Sequence, residues 1–71
     1  MPEPPSYLVS LCEGDLCRPL FTIDDASVTV ADLLPFLAEL AVRLRSKGAM
    51  GRVVVTDRES GAVIATRQVW P

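Results

Sequence analysis

The chain has 71 residues, 49% of them hydrophobic, and a formal net charge of −2. That length suits one domain and not two. A domain this small buries only about 60% of the surface its unfolded chain exposes, so a mean hydropathy of +0.31 implies more apolar surface than one core hides. Histidine is absent, which removes the commonest general base near neutral pH and the commonest metal ligand.

The N-terminal segment Met1-Pro2-Glu3-Pro4-Pro5 carries neither the basic region nor the apolar run of a secretory signal. Asp32, Pro35 and Glu39 interrupt the longest apolar stretch well short of the roughly 20 residues of a membrane span. A cytoplasmic protein is expected, and two cysteines are too few for the disulfide framework of a small secreted domain. Residues 1–6 read as a flexible Pro-rich arm, and 7–71 as the domain.

In chain order, Tyr7 to Cys12 and Leu16 to Ile23 alternate and are rich in strand formers. Gly14-Asp15 between them has the chemistry of a type II′ two-residue turn, so the two segments form a hairpin. Pro19 cannot donate to a ladder, which predicts a sheet edge or a bulge in the second strand. This register sets Cys12 opposite Cys17 in a non-hydrogen-bonded pair, where Cα atoms lie about 4.5 Å apart and a disulfide is within reach. The pair reads either as a redox pair or as two small reduced hydrophobes in a sheet.

Thr29 and Asp32 have the spacing of a capping box, with Val28 and Leu33 placed to form a hydrophobic staple around it. Lys47-Gly48 ends the helix that follows, and Arg43, Arg45 and Lys47 complement the negative end of its dipole. Pro35 conflicts with the second turn and predicts a kink, or a start at Asp32. At about 100° per residue, Val30, Leu33, Leu34, Leu37, Leu40, Ala41 and Leu44 form a core-facing stripe. Phe36 and Val42 fall outside it, on opposite flanks.

Arg52 to Thr56 and Ala62 to Trp70 read as two further strands, joined by a loop ending in Gly61. Pairing Asp57 with Ala62 places Val53, Val55 and Ile64 on one face. Val54, Val63, Ala65 and Val69 fall on the other, and Arg52 stands opposite Arg67. The fold expected is α+β: a single ββαββ domain, a four-stranded mainly antiparallel sheet with one helix on one face. The other face has no cover.

Residues 1–42 hold one basic residue, Arg18, against seven acids, a balance of −6, whereas residues 43–71 balance at +4. The overall acidity, with a pI near 4.8, argues against general nucleic-acid binding. An arginine cluster of Arg18, Arg52, Arg58 and Arg67 is the alternative that would take nucleic acid or serve a regulatory module. Asp24-Asp25 is the one adjacent carboxylate pair, and before a helix such a pair serves the turn and the dipole. No serine has a histidine partner, and the four glycines make no phosphate loop. A processed Pro2 would resemble the amino-terminal proline base of small tautomerases, but a hairpin follows it here in place of a βαβ unit. No cofactor or metal site is expected, and no catalysis.

A stoichiometric protein-binding module is the function these features favour. Its contact residues would be Phe36, Val42, Val54, Val63 and Trp70 if the apolar surface binds, which would also suit a homodimer. They would be Asp15, Asp24 and Asp25 if the acidic half meets a partner with a basic surface. In size, acidity and compact α+β plan, across nearly the whole chain, the sequence resembles small phage-encoded anti-CRISPR proteins that block type I effector complexes. The resemblance implies a host-cytoplasmic inhibitor that binds a CRISPR effector subunit and hinders target-DNA recruitment; it assigns no site residue.

Overall fold

A computed structural model describes residues 6–24 and 27–70, the side chain of Trp70 excepted. The elements run β1 (Tyr7–Glu13), β2 (Leu16–Ile23), α1 (Val30–Ser46), β3 (Gly51–Asp57) and β4 (Val63–Trp70). The four strands form one antiparallel sheet in the order β2-β1-β3-β4. The fold is thus the ββαββ domain expected. Its two central strands are the ones richest in buried aliphatics: Val9, Leu11, Val53 and Val55 lie on the helix side and close over Leu33, Leu37 and Ala41.

The first hairpin has the expected register, with Cys12 opposite Cys17 and Glu13 opposite Leu16. Gly14 has φ 59°, and among the described residues no other residue type has a positive φ, so the turn is of the II′ kind. Pro19 has both of its anticipated consequences: β2 is an edge strand, and the β1–β2 register shifts between Val9 and Ser10. Gly51 opens β3 at φ 99°, where an added Cβ would stand 2.1 Å from the backbone oxygen of Cys12. Only a residue without Cβ lets β3 approach β1 there.

Thr29 caps α1 with both halves of the capping box in place. Its hydroxyl accepts from Asp32 N–H at 3.3 Å, and the Asp32 carboxylate accepts from Thr29 N–H at 3.0 Å. The helix begins at Val30, which corrects the alternative start at Asp32 and leaves Pro35 inside the second turn. The carbonyl of Ala31 loses its donor there, but Ala31 and Pro35 are both exposed, so water can take the bond. At the other end Gly48 N–H reaches the Arg45 carbonyl and Ala49 N–H the Leu44 carbonyl, both at 3.0 Å, a Schellman closure.

Three expectations are corrected by position. Val30 and Leu34 are exposed although the wheel puts them in the core stripe, because α1 packs chiefly on β4 and secondarily on β3, so this flank overhangs the sheet. A register shift between Val55 and Thr56 inserts Ile64 as an extra residue. Ala65 then faces Val55 and packs toward the core, and Arg52 stands opposite Gln68, with Arg67 opposite Val53. A second shift beside Gly51 turns Val69 into the core.

Ser6, assigned to the arm, belongs to the fold: its carbonyl accepts from Arg58 N–H at 3.0 Å and its hydroxyl donates to Asp24. Residues 1–5 lie outside the described residues.

Two substitutions test these local causes by urea denaturation. Thr29→Ala should cost about 1 kcal/mol. Gly51→Ala should cost about 2 kcal/mol or more, because backbone would have to move. The Thr29 hydrogen bonds hold the Asp32 carboxyl below the usual carboxylate range. Its stabilisation is therefore complete above the unfolded-state value and is lost as pH falls through the lower native value. The stabilities of the native chain and Asp32→Asn should converge on acidification from about pH 5 to pH 2.

Candidate protein-binding surface

A helix with side chains is about 10–12 Å across, whereas four strands at about 4.8 Å spacing are nearly twice as wide. Centred on β4 and β3, α1 leaves the helix side of β2 bridged only by long side chains. Phe21 of β2 and Phe36 of α1 make that bridge, edge to face, with ring centroids 5.9 Å apart. Around them Ile23, Val28, Leu33 and the flank of Asp32 enclose an open cavity of about 390 Å³. Its walls are almost wholly apolar. Val28 and Leu33 stand there because the hydrophobic staple draws the chain before the helix against its second turn.

The helix's other flank carries Val42, 68% exposed, and Leu34, 57% exposed. Ala38 and Val42 share a smaller cavity of about 110 Å³ with Arg67, Gln68 and Val69 of β4. On the face of the sheet away from the helix, Val63 is 61% exposed, but Val54 is only 8% exposed. Val54 therefore offers little to a partner. Phe36 is half-buried behind Phe21, Asp15 stands exposed at the hairpin tip, and Trp70 ends β4. The side chain of Trp70 and all of Asp25 lie outside the described residues.

The charge division of the sequence becomes a division in space. Asp24, Asp32, Asp57 and Glu59 gather where β2 ends and α1 begins. Arg43, Arg45, Lys47 and Arg52 gather where α1 ends and β3 begins. Much of the acidic end is already engaged. Arg58 lies 3.7 Å from Asp24, Asp32 is held by Thr29, and Asp57 accepts from Glu59 N–H at 2.8 Å. Arg18, Arg52 and Arg67 do not converge: Arg52 lies on the face of the sheet away from the helix, while Arg18 and Arg67 project on the helix side, near opposite edges of the sheet.

Cys12 and Cys17 are joined by a disulfide, so the bridged reading replaces that of two reduced hydrophobes. Cys12 is buried and Cys17 is exposed. Among the described residues no three metal-ligating side chains stand together, and no helix is long and apolar enough to cross a membrane. No family model, no curated protein and no solved structure matches the chain.

Phe21 and Leu34 are among the surface residues that sequence patterning misses. Both sit at positions of the correct period for burial, and only the lateral offset of the helix exposes them. The pattern of β2 does hold one signal, since Pro19 places it at an edge, where a large apolar side chain is covered on one side only.

The bridge spans a sequence separation of 5, for which loop-closure entropy gives about 2 kcal/mol of stabilisation. Adding a dithiol reductant should lower the thermal midpoint by roughly 10 °C in a domain of this size. The melting curve of the Cys12→Ala/Cys17→Ala double variant should not respond to the reductant.

Proposed function

We propose that this chain is a small non-catalytic module that acts by binding another protein through the Phe21–Phe36 groove. The observation that carries this reading is the groove itself: an edge-to-face aromatic pair at the rim of an apolar cavity that the described residues leave open. Aromatic side chains in a partly formed pocket supply large contact area with few rotamers to immobilise, the usual character of an interface anchor. The acidic half supports the reading less, because Asp24, Asp32 and Asp57 already have partners within the chain.

The resemblance to phage inhibitors gives the reading its sharpest form, in which the bound protein is a CRISPR effector subunit and the consequence is hindered target-DNA recruitment in the host cytoplasm. Size, acidity and the ββαββ plan support that form, and no individual residue does. The basic end near Arg43 and Arg52 would oppose simple mimicry of DNA by charge.

Photo-crosslinking from Phe21 tests the binding reading. With benzoylphenylalanine at position 21, irradiation in the producing cell should give one dominant heterologous adduct, which Phe36→Asp should abolish while the thermal melt of that variant remains cooperative. An adduct with a second copy of the chain alone, or none, would contradict it. For the sharper form, expression in cells with a type I system should suppress interference. Undiminished interference would remove that form and leave the binding module standing.

A further inference from the structure

The Cys12–Cys17 disulfide joins a central strand to an edge strand that packing barely holds. Cys12 is 2% exposed in β1. Cys17 stands in β2, where every residue from Leu16 to Thr22 is exposed and none belongs to the buried core cluster. β2 pairs with β1 alone, and Pro19 and the register shift beside it interrupt even that ladder.

Among the described residues two side-chain ties hold β2 besides the ladder and its apolar contacts, one at each end. Near Ile23 the tie is polar. The Thr22 hydroxyl donates to the Asp24 carboxylate at 3.3 Å, and the same carboxylate accepts from the Ser6 hydroxyl and lies 3.7 Å from Arg58. Near the turn the tie is the disulfide. Phe21 lies between the two and meets Phe36 edge to face. Phe36 is fixed by a helix whose Leu33 and Leu37 are fully buried, so one wall of the groove is anchored in the core and the other rides on β2.

A strand with so little buried surface opens at a small part of the free energy of global unfolding. A disulfide closing a loop this short shifts an open–closed equilibrium by roughly thirtyfold. By that factor a strand lifted about 3% of the time when tied is lifted about half of the time when freed.

We propose that the Cys12–Cys17 disulfide is a redox latch on the Phe21–Phe36 groove. Oxidised, it holds β2 on β1 and Phe21 on Phe36. Reduced, it lets β2 lift from the turn to Phe21 while the core stays closed, and the groove loses one wall. The reductant is a dithiol, which gives two electrons and two protons to the Sγ–Sγ bond. That bond breaks to two cysteine thiols, and the dithiol closes to its own disulfide. The effect on binding rests on the groove reading; the lifting of β2 does not.

Nuclear magnetic resonance of the isotope-labelled chain, well below the melting range of its reduced form, tests the lifting. On addition of a dithiol the ring-to-ring contacts of Phe21 and Phe36 should fall to about half their intensity, and the amides of Arg18, Leu20 and Phe21 should shift toward unpaired values. Leu37, Val53 and Val55 should keep their oxidised signals. The binding consequence is read from the photo-adduct of benzoylphenylalanine at position 21, formed in extract of the producing cell. Its yield should fall by about half with the dithiol. In the Cys12→Ala/Cys17→Ala background it should be equally low with or without it. A fully reduced chain with undiminished ring contacts would overturn the latch and leave the groove reading intact. Signals lost equally from β3 and α1 would also overturn it, since the disulfide would then tie the whole fold. Equal adduct yields from the two redox states would overturn control of binding. No adduct in either state, with β2 lifting on reduction, would remove the groove reading and leave the lifting established.

Discussion

One helix has to cover four strands, and the rest of the molecule follows from its being too narrow to do so. A helix about 10–12 Å wide shields little more than two strands spaced at about 4.8 Å. The helix lies over β4 and β3, and its buried face reaches inward to the apolar side chains of the central pair β1 and β3. Val9, Leu11, Val53 and Val55 are closed by Leu33, Leu37 and Ala41 in this way. The unburied remainder collects where the cover stops, at Phe21 and Phe36 on one side and at Leu34 and Val42 on the other. Part of the apolar excess evident in the composition is therefore gathered beside the helix. Two strips of it flank the helix, and Leu16, Met50 and Val63 are exposed apart from them.

Local chemistry decides how much of this is legible in the sequence. The capping box at Thr29 and Asp32, the Lys47-Gly48 stop, the Gly14-Asp15 turn and the Asp57–Ala62 closure are each set by residues within six positions of one another, so the residue types alone disclose them. The hairpin register that juxtaposes Cys12 and Cys17 is legible for the same reason. What escapes is decided over longer range. The extra residue at Ile64 shifts half of β4 by one position, and with period-two side chains that exchanges faces, sending Ala65 inward and separating Arg52 from Arg67. No residue type in that stretch announces a bulge. The lateral position of the helix is equally silent, which is why helical periodicity alone buries Leu34 and leaves Phe21 without an assignment.

The charges add direction to a surface that apolar area alone would leave indiscriminate. Acids at one end are spent on Arg58, Thr29 and the Asp57 turn, which hold the chain ends of the sheet together. Arg43 and Arg67, toward the other end, stand in no ion pair among the described residues. The disulfide plays a related part at the hairpin tip: β2 is bound to the sheet only through β1, lacks the helix above its first half, and has Cys17 as a covalent tie where packing contributes least.

Native-state hydrogen exchange of the isolated chain tests most directly whether the helix covers only part of the sheet. Amides of Val9, Leu11, Val53 and Val55 should exchange only through global unfolding, and those of Leu16 to Leu20 at least about a hundredfold faster, through local opening. Uniform protection across all four strands would mean that β2 is covered after all, and the account of two uncovered strips would fail.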